Sequence, residues 1–240
     1  MTAVNRLPII DGARPMSLAM GDVELGGYTW WSDCGAPAVL LVHGWGEDAS
    51  TMAPVARQIR SRAWHAVSFS LRGWPGSSGV DDYGLSASKD IGRLLAWIRG
   101  RPQVSSLSVV GFSMGCLMAS LAARDQRRGE LAGLTVVSAP SDLVSFSRDT
   151  AFGGVRRYLD ATLQAHQWRE SSPLTHAPNL EHPMLVVVGT EDSMTPPEQG
   201  RRLAAAAPNA ELLEIGGMGH HPSPQQWERI LTDSSRAFGL

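Results

Sequence analysis

Short apolar runs alternate with longer helix-like stretches along most of the chain, and this alternation limits the fold more than any other feature of the sequence. The runs are rich in valine, leucine and isoleucine, which is typical of strands that are buried on both faces. Such strands belong to a parallel sheet with helices packed on both sides. The pattern therefore predicts an α/β fold, with strands at residues 38–43, 66–71, 107–111, 134–138, 184–189 and 211–215.

The stretches around these runs complete the predicted order of elements. Two early runs, 17–20 and 23–30, indicate an antiparallel edge, and helical spacing of apolar residues predicts helices at 50–62, 86–99, 114–127, 197–206 and 223–238. Residues 139–183 separate two strands by more than a simple crossover needs. Two structures fit this segment: a small lid over a site, or a crossover helix at 154–166 followed by a long loop. It also holds four aromatic residues that look exposed: Phe146, Phe152, Tyr158 and Trp168.

The composition indicates one globular domain, residues 1–240, and excludes several functions. Apolar residues make up 43% of the chain and charged residues 18%, and no linker divides it. A net charge of −2 argues against nucleic-acid binding, which needs a basic surface. No apolar run approaches the roughly 20 residues of a membrane span, and the N-terminus lacks the apolar core of a secretory signal. Cys34 and Cys116 form neither a disulfide framework nor a metal-binding spacing, so we expect a cytoplasmic protein without a metal.

The sequence Gly-Phe-Ser-Met-Gly at residues 111–115 points to a reactive serine. It follows an apolar strand and opens a helix, which is the context that a nucleophile elbow requires. In such a turn the serine has strained backbone angles, and a side chain at either flanking position would collide with the neighbouring strand or helix, so both positions are glycine. The N-terminus of the helix behind the serine favours negative charge. We therefore predict that Ser113 is a nucleophile.

A serine hydroxyl needs a base, and the chain offers two adjacent candidates. His220 and His221 follow the last predicted strand in a glycine-rich loop, which faces the same crevice as Ser113 if both lie at the carboxyl end of a parallel sheet. Spacing alone does not separate the two histidines.

The base in turn needs a carboxylate to orient it. Asp192 follows the strand at 184–189, with Glu191 beside it as one alternative and Asp142, after the preceding strand, as another. The order serine, acid, histidine, each just beyond a successive strand, makes these residues a set.

A further motif, His-Gly-Trp-Gly at residues 43–46, follows the first central strand. Small residues there allow backbone N–H groups to approach a substrate oxygen. We predict an oxyanion hole formed by the amides of Trp45 and Met114, of which each donor contributes about 10²–10³ in kcat.

Together these motifs resemble the α/β-hydrolase superfamily, from about residue 38 to the C-terminus. Residues 43–46 resemble its H-G oxyanion motif, 189–196 its G-x-x-D-x-x-x-P segment and 217–220 its G-x-G-H segment. Residues 71–78 resemble its R-G-x-G-x-S loop, but they carry an extra residue and follow Ser70 where an acid is common. The resemblance implies eight mostly parallel strands with helices on both faces and at most a small lid. It also assigns the acid to Asp192 and the base to His220.

The resemblance further implies a serine hydrolase of the esterase or thioesterase kind, acting without a cofactor on a small-molecule acyl substrate. Residues 172–177 resemble the prolyl-oligopeptidase-like branch, and residues 111–115 also resemble cofactor-free perhydrolases. Two alternatives stay open: acyl transfer to an amine, alcohol or peroxide by the same triad, and a non-catalytic receptor on the same fold. Near Ser113 we expect four residues that form either an apolar acyl pocket or packing core: Trp45, Trp74, Phe112 and Met114.

Overall fold

The computed structural model describes residues 7–32 and 35–240, so Cys34 lies outside the described residues. Within them, eight strands form one sheet in the order β1-β2-β4-β3-β5-β6-β7-β8. The strands are β1 (Arg14–Met20), β2 (Val23–Trp30), β3 (Ala36–Val42), β4 (His65–Phe69), β5 (Val104–Phe112), β6 (Gly133–Val137), β7 (Met184–Gly189) and β8 (Ala210–Ile215).

The strand pairing follows the predicted division into an antiparallel edge and a parallel centre. β1 pairs antiparallel with β2, and β2 pairs antiparallel with β4. The pairs from β4 through β3, β5, β6 and β7 to β8 are all parallel. The carboxyl ends of β3 to β8 therefore lie at one edge of the sheet, where polar loops can converge on a site.

Helices cover both faces of the sheet, as the apolar runs require. Residues alternate along the central strands between two buried clusters. Leu40 and Val109 pack with helices α2 (Ala87–Arg99) and α3 (Met114–Arg124). Leu41 and Val110 pack with helices α1 (Ala53–Ser61) and α9 (Pro224–Phe238) on the other face. The fold class is thus the predicted α/β-hydrolase fold. The helices are α1 (Ala53–Ser61), α2 (Ala87–Arg99), α3 (Met114–Arg124), α4 (Leu143–Asp149), α5 (Gly153–Thr162), α6 (Gln167–Glu170), α7 (Pro173–His176), α8 (Glu198–Ala206) and α9 (Pro224–Phe238).

Local sequence explains where several helices begin and end. Ser223 and Gln226 form a capping box at the start of α9, and Gly239 ends that helix in the left-handed conformation. The segment predicted as a helix at 50–62 begins with a short 3₁₀ turn, Ala49–Met52, which Asp48 caps, and continues as α1. The Asp48 carboxylate accepts the N–H of Ser50 at 2.7 Å, so the helical segment begins one residue earlier than predicted.

The segment 139–183 differs from its prediction in content. It contains four short helices, α4 to α7, where only one was predicted, and α5 ends at Thr162. Phe146 was expected to be exposed but is buried, because α4 packs its inner side on the main apolar cluster. Phe152 is exposed, and Tyr158 and Trp168 are half-buried. Helices this short carry too few turns for an apolar period to be detected in the sequence.

Candidate active site

Ser113 lies at the tight turn between β5 and α3. Its backbone has φ 49° and ψ −120°, a conformation that residues other than glycine rarely adopt. A Cβ atom at Gly111 would lie 2.9 Å from Cys116 Cα, and one at Gly115 would lie 2.5 Å from His43 O. The predicted reason for the two flanking glycines is therefore confirmed. The turn leaves the serine side chain partly accessible at the carboxyl edge of the sheet.

Two further side chains extend a row of contacts from Ser113: His220 contacts Ser113, and Asp192 contacts His220. His220 Nε2 lies 3.0 Å from Ser113 Oγ, and His220 Nδ1 lies 2.9 Å from Asp192 Oδ2. The side chains of His220 and Asp192 are 7% and 1% exposed. A neutral imidazole that donates Nδ1–H to the carboxylate presents a lone pair on Nε2 to the serine hydroxyl. This arrangement can withdraw a proton from Ser113 and hold the resulting imidazolium beside a buried anion.

The loop after β7 holds the Asp192 carboxylate in place. The backbone N–H groups of Met194 and Thr195 donate to Asp192 Oδ1 at 3.0 and 2.8 Å. Hydrogen bonds to the charged form compensate a carboxylate for its removal from water. Asp192 can therefore stay buried while it orients the imidazole of His220.

The alternative acids and base lie elsewhere. Glu191 is exposed, and Asp142 caps α4 by accepting from Val144 N, while also pairing with Arg202. His221 has a 64% exposed side chain, and its Nε2 lies 3.5 Å from Glu47 Oε1. The structure thus brings Asp192 and His220 together with Ser113, and none of these three alternatives.

The loop after β3 is held by a buried histidine and a glutamate. His43 Nε2 accepts the N–H of Leu71 at 3.0 Å, and its Nδ1 lies 2.8 Å from Gly44 O, so the neutral ring bridges two loops. Burial lowers the pKa of His43, which favours this neutral form. Glu47 Oε2 accepts the N–H of Gly44 at 2.8 Å. The sequence motif located this loop but gave no sign that Glu47 supports it.

Trp45, in this loop, forms the centre of an aromatic cluster with Trp74, Phe152 and Tyr158. Its ring makes edge contacts with theirs at centroid distances of 6.2, 5.7 and 5.4 Å. Segment 139–183 supplies Phe152 and Tyr158, and it also contacts the acid loop, where Ala151 N donates to Ser193 O at 3.0 Å. Segment 139–183 therefore contacts both the loop that carries Trp45 and the loop that carries Asp192.

A carboxylate that the sequence analysis did not single out lies under this cluster. Asp81 Oδ2 accepts from Tyr158 Oη at 2.6 Å and from Trp74 Nε1 at 3.0 Å, and its Oδ1 accepts from Tyr83 N at 2.9 Å. Burial raises the pKa of Asp81 above its usual value. Asp81 thus ties the loop after β4 to α5, and no local motif could have indicated a contact across so much sequence.

Of the four apolar residues left open as acyl pocket or packing core, Phe112 and Met114 are packing core. The Phe112 ring lies behind the base, with its centroid 5.2 Å from that of His220 and 5.0 Å from that of His221. The Met114 side chain is buried in the main apolar cluster. As the first residue of α3, however, Met114 has an N–H without an intrahelical acceptor, which is the group predicted for the oxyanion hole.

Cys116 is a buried free thiol whose Sγ donates to Val137 O at 3.3 Å, and burial raises its pKa. Within residues 7–32 and 35–240, no group of three or more His, Cys, Asp or Glu side chains could hold a metal ion. In the same described part of the chain, no helix has the length and apolar character needed to cross a membrane.

Comparison with known proteins identifies the family. The chain belongs to the alpha/beta hydrolase family, whose sequence model matches residues 39–177. A second model, described as TAP-like protein, matches residues 156–228. An uncharacterized protein of Mycobacterium tuberculosis is 27% identical over 228 residues, which cover 90% of this chain and 75% of the relative. The first match includes the elbow, and the second includes the segments that carry Asp192 and His220.

Solved structures share the fold at low sequence identity. An esterase of Pyrococcus furiosus superposes with a TM-score of 0.76 at 18% identity, covering 93% of this chain and 91% of its own. A puromycin hydrolase superposes with a TM-score of 0.79 at 19% identity, covering 98% of this chain but 41% of its own. Similarity at this level establishes a common architecture, whereas activity must be argued from the site.

Proposed function

We propose that the protein is a serine hydrolase that cleaves a carboxylic ester, thioester or amide of a small substrate through an acyl-enzyme. One observation carries the proposal: Ser113 Oγ, His220 and Asp192 are connected by contacts of 3.0 and 2.9 Å in the order that a nucleophile, its base and an orienting acid require. Membership of the alpha/beta hydrolase family supports hydrolase chemistry in general.

In the proposed acylation step, Ser113 Oγ attacks the acyl carbon while His220 Nε2 takes the hydroxyl proton. Asp192 stabilises the imidazolium that forms. The carbonyl oxygen becomes an oxyanion and accepts hydrogen bonds from the amides of Trp45 and Met114. The bond to the leaving group then breaks, His220 returns its proton to that group, and the acyl group stays on Ser113.

Deacylation repeats these steps with water as the nucleophile. His220 Nε2 takes a proton from the water as it attacks the acyl carbon, and then returns the proton to Ser113 Oγ as the ester bond breaks. The carboxylic acid leaves and the free serine is regenerated. An amine, alcohol or peroxide in place of water gives acyl transfer by the same groups, so product analysis with added acceptors distinguishes the two reactions.

We also propose that segment 139–183 acts as a small cover over the acyl group, with Phe152 and Tyr158 as the rings of its inner surface. Trp45 supplies both a proposed oxyanion amide and the ring at the centre of that cluster, so an apolar acyl chain on Ser113 would lie against it. The partial exposure of Phe152 favours short substrates over deeply buried long chains. A series of p-nitrophenyl esters of increasing chain length tests this, with kcat/KM expected to be highest for short acyl groups.

Active-site labelling tests the proposed nucleophile directly. We expect the wild-type protein to take up one fluorophosphonate, detected by intact mass, with the label on Ser113 after proteolysis. Ser113→Ala should take up none. An unlabelled wild-type protein, or equal labelling of the variant, contradicts the proposal. Failure to turn over any short ester or thioester, together with saturable ligand binding, supports a receptor instead.

The adjacent histidines provide a matched pair for the proposed base. His220→Ala should lower kcat by about 10⁴-fold or more, because the serine then has no proton acceptor. His221→Ala removes the same number of atoms one residue away, from a largely exposed side chain, and should keep most of the activity. The reverse result would transfer the role of base to His221.

A further inference from the structure

Ser138 immediately follows β6 and has an unusual backbone conformation for a buried serine. Its φ is 54°, in the left-handed region that favours glycine, and it is only 2% exposed. Glycine would adopt this conformation without steric cost. The presence of serine at such a position therefore indicates that the hydroxyl has a use of its own.

The contacts of Ser138 identify that use. Its Oγ donates to the backbone carbonyl of His220 at 3.0 Å, and its N–H donates to Val187 O at 3.0 Å. The preceding carbonyl, Val137 O, accepts the N–H of Ser113 at 2.9 Å. Two consecutive residues at the end of β6 thus bind both the elbow and the loop that carries His220.

That loop is anchored just before His220: the Met218 side chain is fully buried, Met218 O accepts the N–H of Glu191 at 3.0 Å, and Gly217 N donates to Thr190 Oγ1 at 3.0 Å. A Cβ atom at Gly216, Gly217 or Gly219 would find no neighbouring heavy atom within 4 Å. Gly219 leaves the backbone between Met218 and His220 conformationally free, and the hydrogen bond to the His220 carbonyl restricts the position of the His220 ring beyond that anchor.

We infer that Ser138 is a positioning residue: its hydroxyl holds the His220 backbone so that Nε2 stays within reach of Ser113. This inference rests on the proposed function, in which His220 is the base. Ser138 does not contact the reacting atoms, and its effect is transmitted through His220 alone. Misplacement of a catalytic group by a fraction of an ångström lowers the rate of the chemical step, while substrate binding is retained.

Two variants separate positioning from stability. Ser138→Gly and Ser138→Ala both delete the hydroxyl, but only the glycine variant relieves the strained φ. We expect both to lose about tenfold in kcat and in the rate of fluorophosphonate labelling, while KM changes by less than about twofold. In thermal unfolding the glycine variant should be the more stable of the two. The inference would be overturned if only Ser138→Gly kept nearly wild-type activity, because activity would then depend on stability alone. It would also be overturned if both variants were fully active.

A spectroscopic readout keeps this test independent of turnover. The Nδ1–H proton of His220, identified by its loss in His220→Gln, should give a downfield NMR signal from its bond to Asp192. Both Ser138 variants should broaden or shift that signal. An unchanged signal contradicts positioning by Ser138. If the wild-type serine takes up no label, the proposed function fails, whereas the NMR comparison still decides whether Ser138 orders His220.

Discussion

The flanking glycine of the elbow offers the sharpest test of how the fold holds the site. Replacing Gly115 by alanine adds one methyl group near the start of α3, facing the end of β3. That methyl carbon would lie 2.5 Å from His43 O and closer still to Val42 O, whereas ordinary contact begins at 3.4 Å. Either α3 or the end of β3 must therefore move by about 1 Å to relieve the overlap with both oxygens.

Two opposing effects set the size of the change. Alanine is the better helix former by about 1 kcal/mol, so a substitution in open space would stabilise α3. Overpacking a rigid core costs about 1–3 kcal/mol, and the atoms met here are carbonyl oxygens of a central strand, which places the cost near 3 kcal/mol. We expect a net loss of about 2 kcal/mol in the free energy of unfolding. Because the displaced strand end leads into the loop of Trp45, kcat should fall about 10²-fold.

Urea unfolding and ester hydrolysis measure the two quantities on the same samples. Gly216→Ala is the matched control, since a Cβ atom there meets nothing within 4 Å, and it should change stability little. Wild-type stability in Gly115→Ala would refute the steric reason given for the elbow glycine. Lost stability with unchanged kcat would instead refute the link between the end of β3 and the oxyanion hole.

Two further predictions concern buried ionisable groups. Burial lowers the pKa of His43 in the folded chain. Below the ordinary pKa of 6.5, the unfolded chain therefore binds a proton that the folded chain does not. The free energy of unfolding then falls by at most about 1.4 kcal/mol for each pH unit. The stability gap between wild type and His43→Gln should therefore narrow from pH 8 to pH 5 in urea titrations, and a constant gap would contradict a neutral His43. Asp90→Ala leaves the buried Arg72 without its 2.6 Å partner and should lower the free energy of unfolding by about 3–5 kcal/mol. Asp22→Ala removes an exposed partner of Arg72 and should change that free energy little. Equal effects of the two substitutions in urea unfolding would contradict this prediction.

The predictable parts of the site are those that local sequence dictates. An apolar strand followed by a glycine, a serine and a second glycine has few ways to enter a helix, so the position of Ser113 followed from sterics. Chain order located the loops of the proposed acid and base, because each lies just beyond a parallel strand, but the choice of Asp192 over Glu191 needed the family resemblance. The choice between His220 and His221 needed the family resemblance, since adjacent residues have the same spacing from everything else.

The unpredicted parts depend on contacts between distant segments. Tyr158 meets Asp81 only because α5 folds back over the loop after β4, and helices as short as those of segment 139–183 leave no clear period in the sequence. Phe146 was misjudged as exposed for the same reason. Glu47 lies three residues beyond Gly44, but its role depends on a loop bend that only the structure describes.

Two of the strained backbone positions among the described residues contact the proposed base. Four residues other than glycine have positive φ in the described part of the chain: Ala63, Tyr83, Ser113 and Ser138. Each such position costs on the order of 1 kcal/mol, which surrounding contacts must offset. The two serines end neighbouring strands, β5 and β6, and both hydroxyls bond to His220, one at Nε2 and the other at its backbone oxygen. Glycine would adopt either conformation without strain but cannot supply a hydroxyl, so the shared partner explains why both positions carry serine, whereas the turns set the backbone conformation.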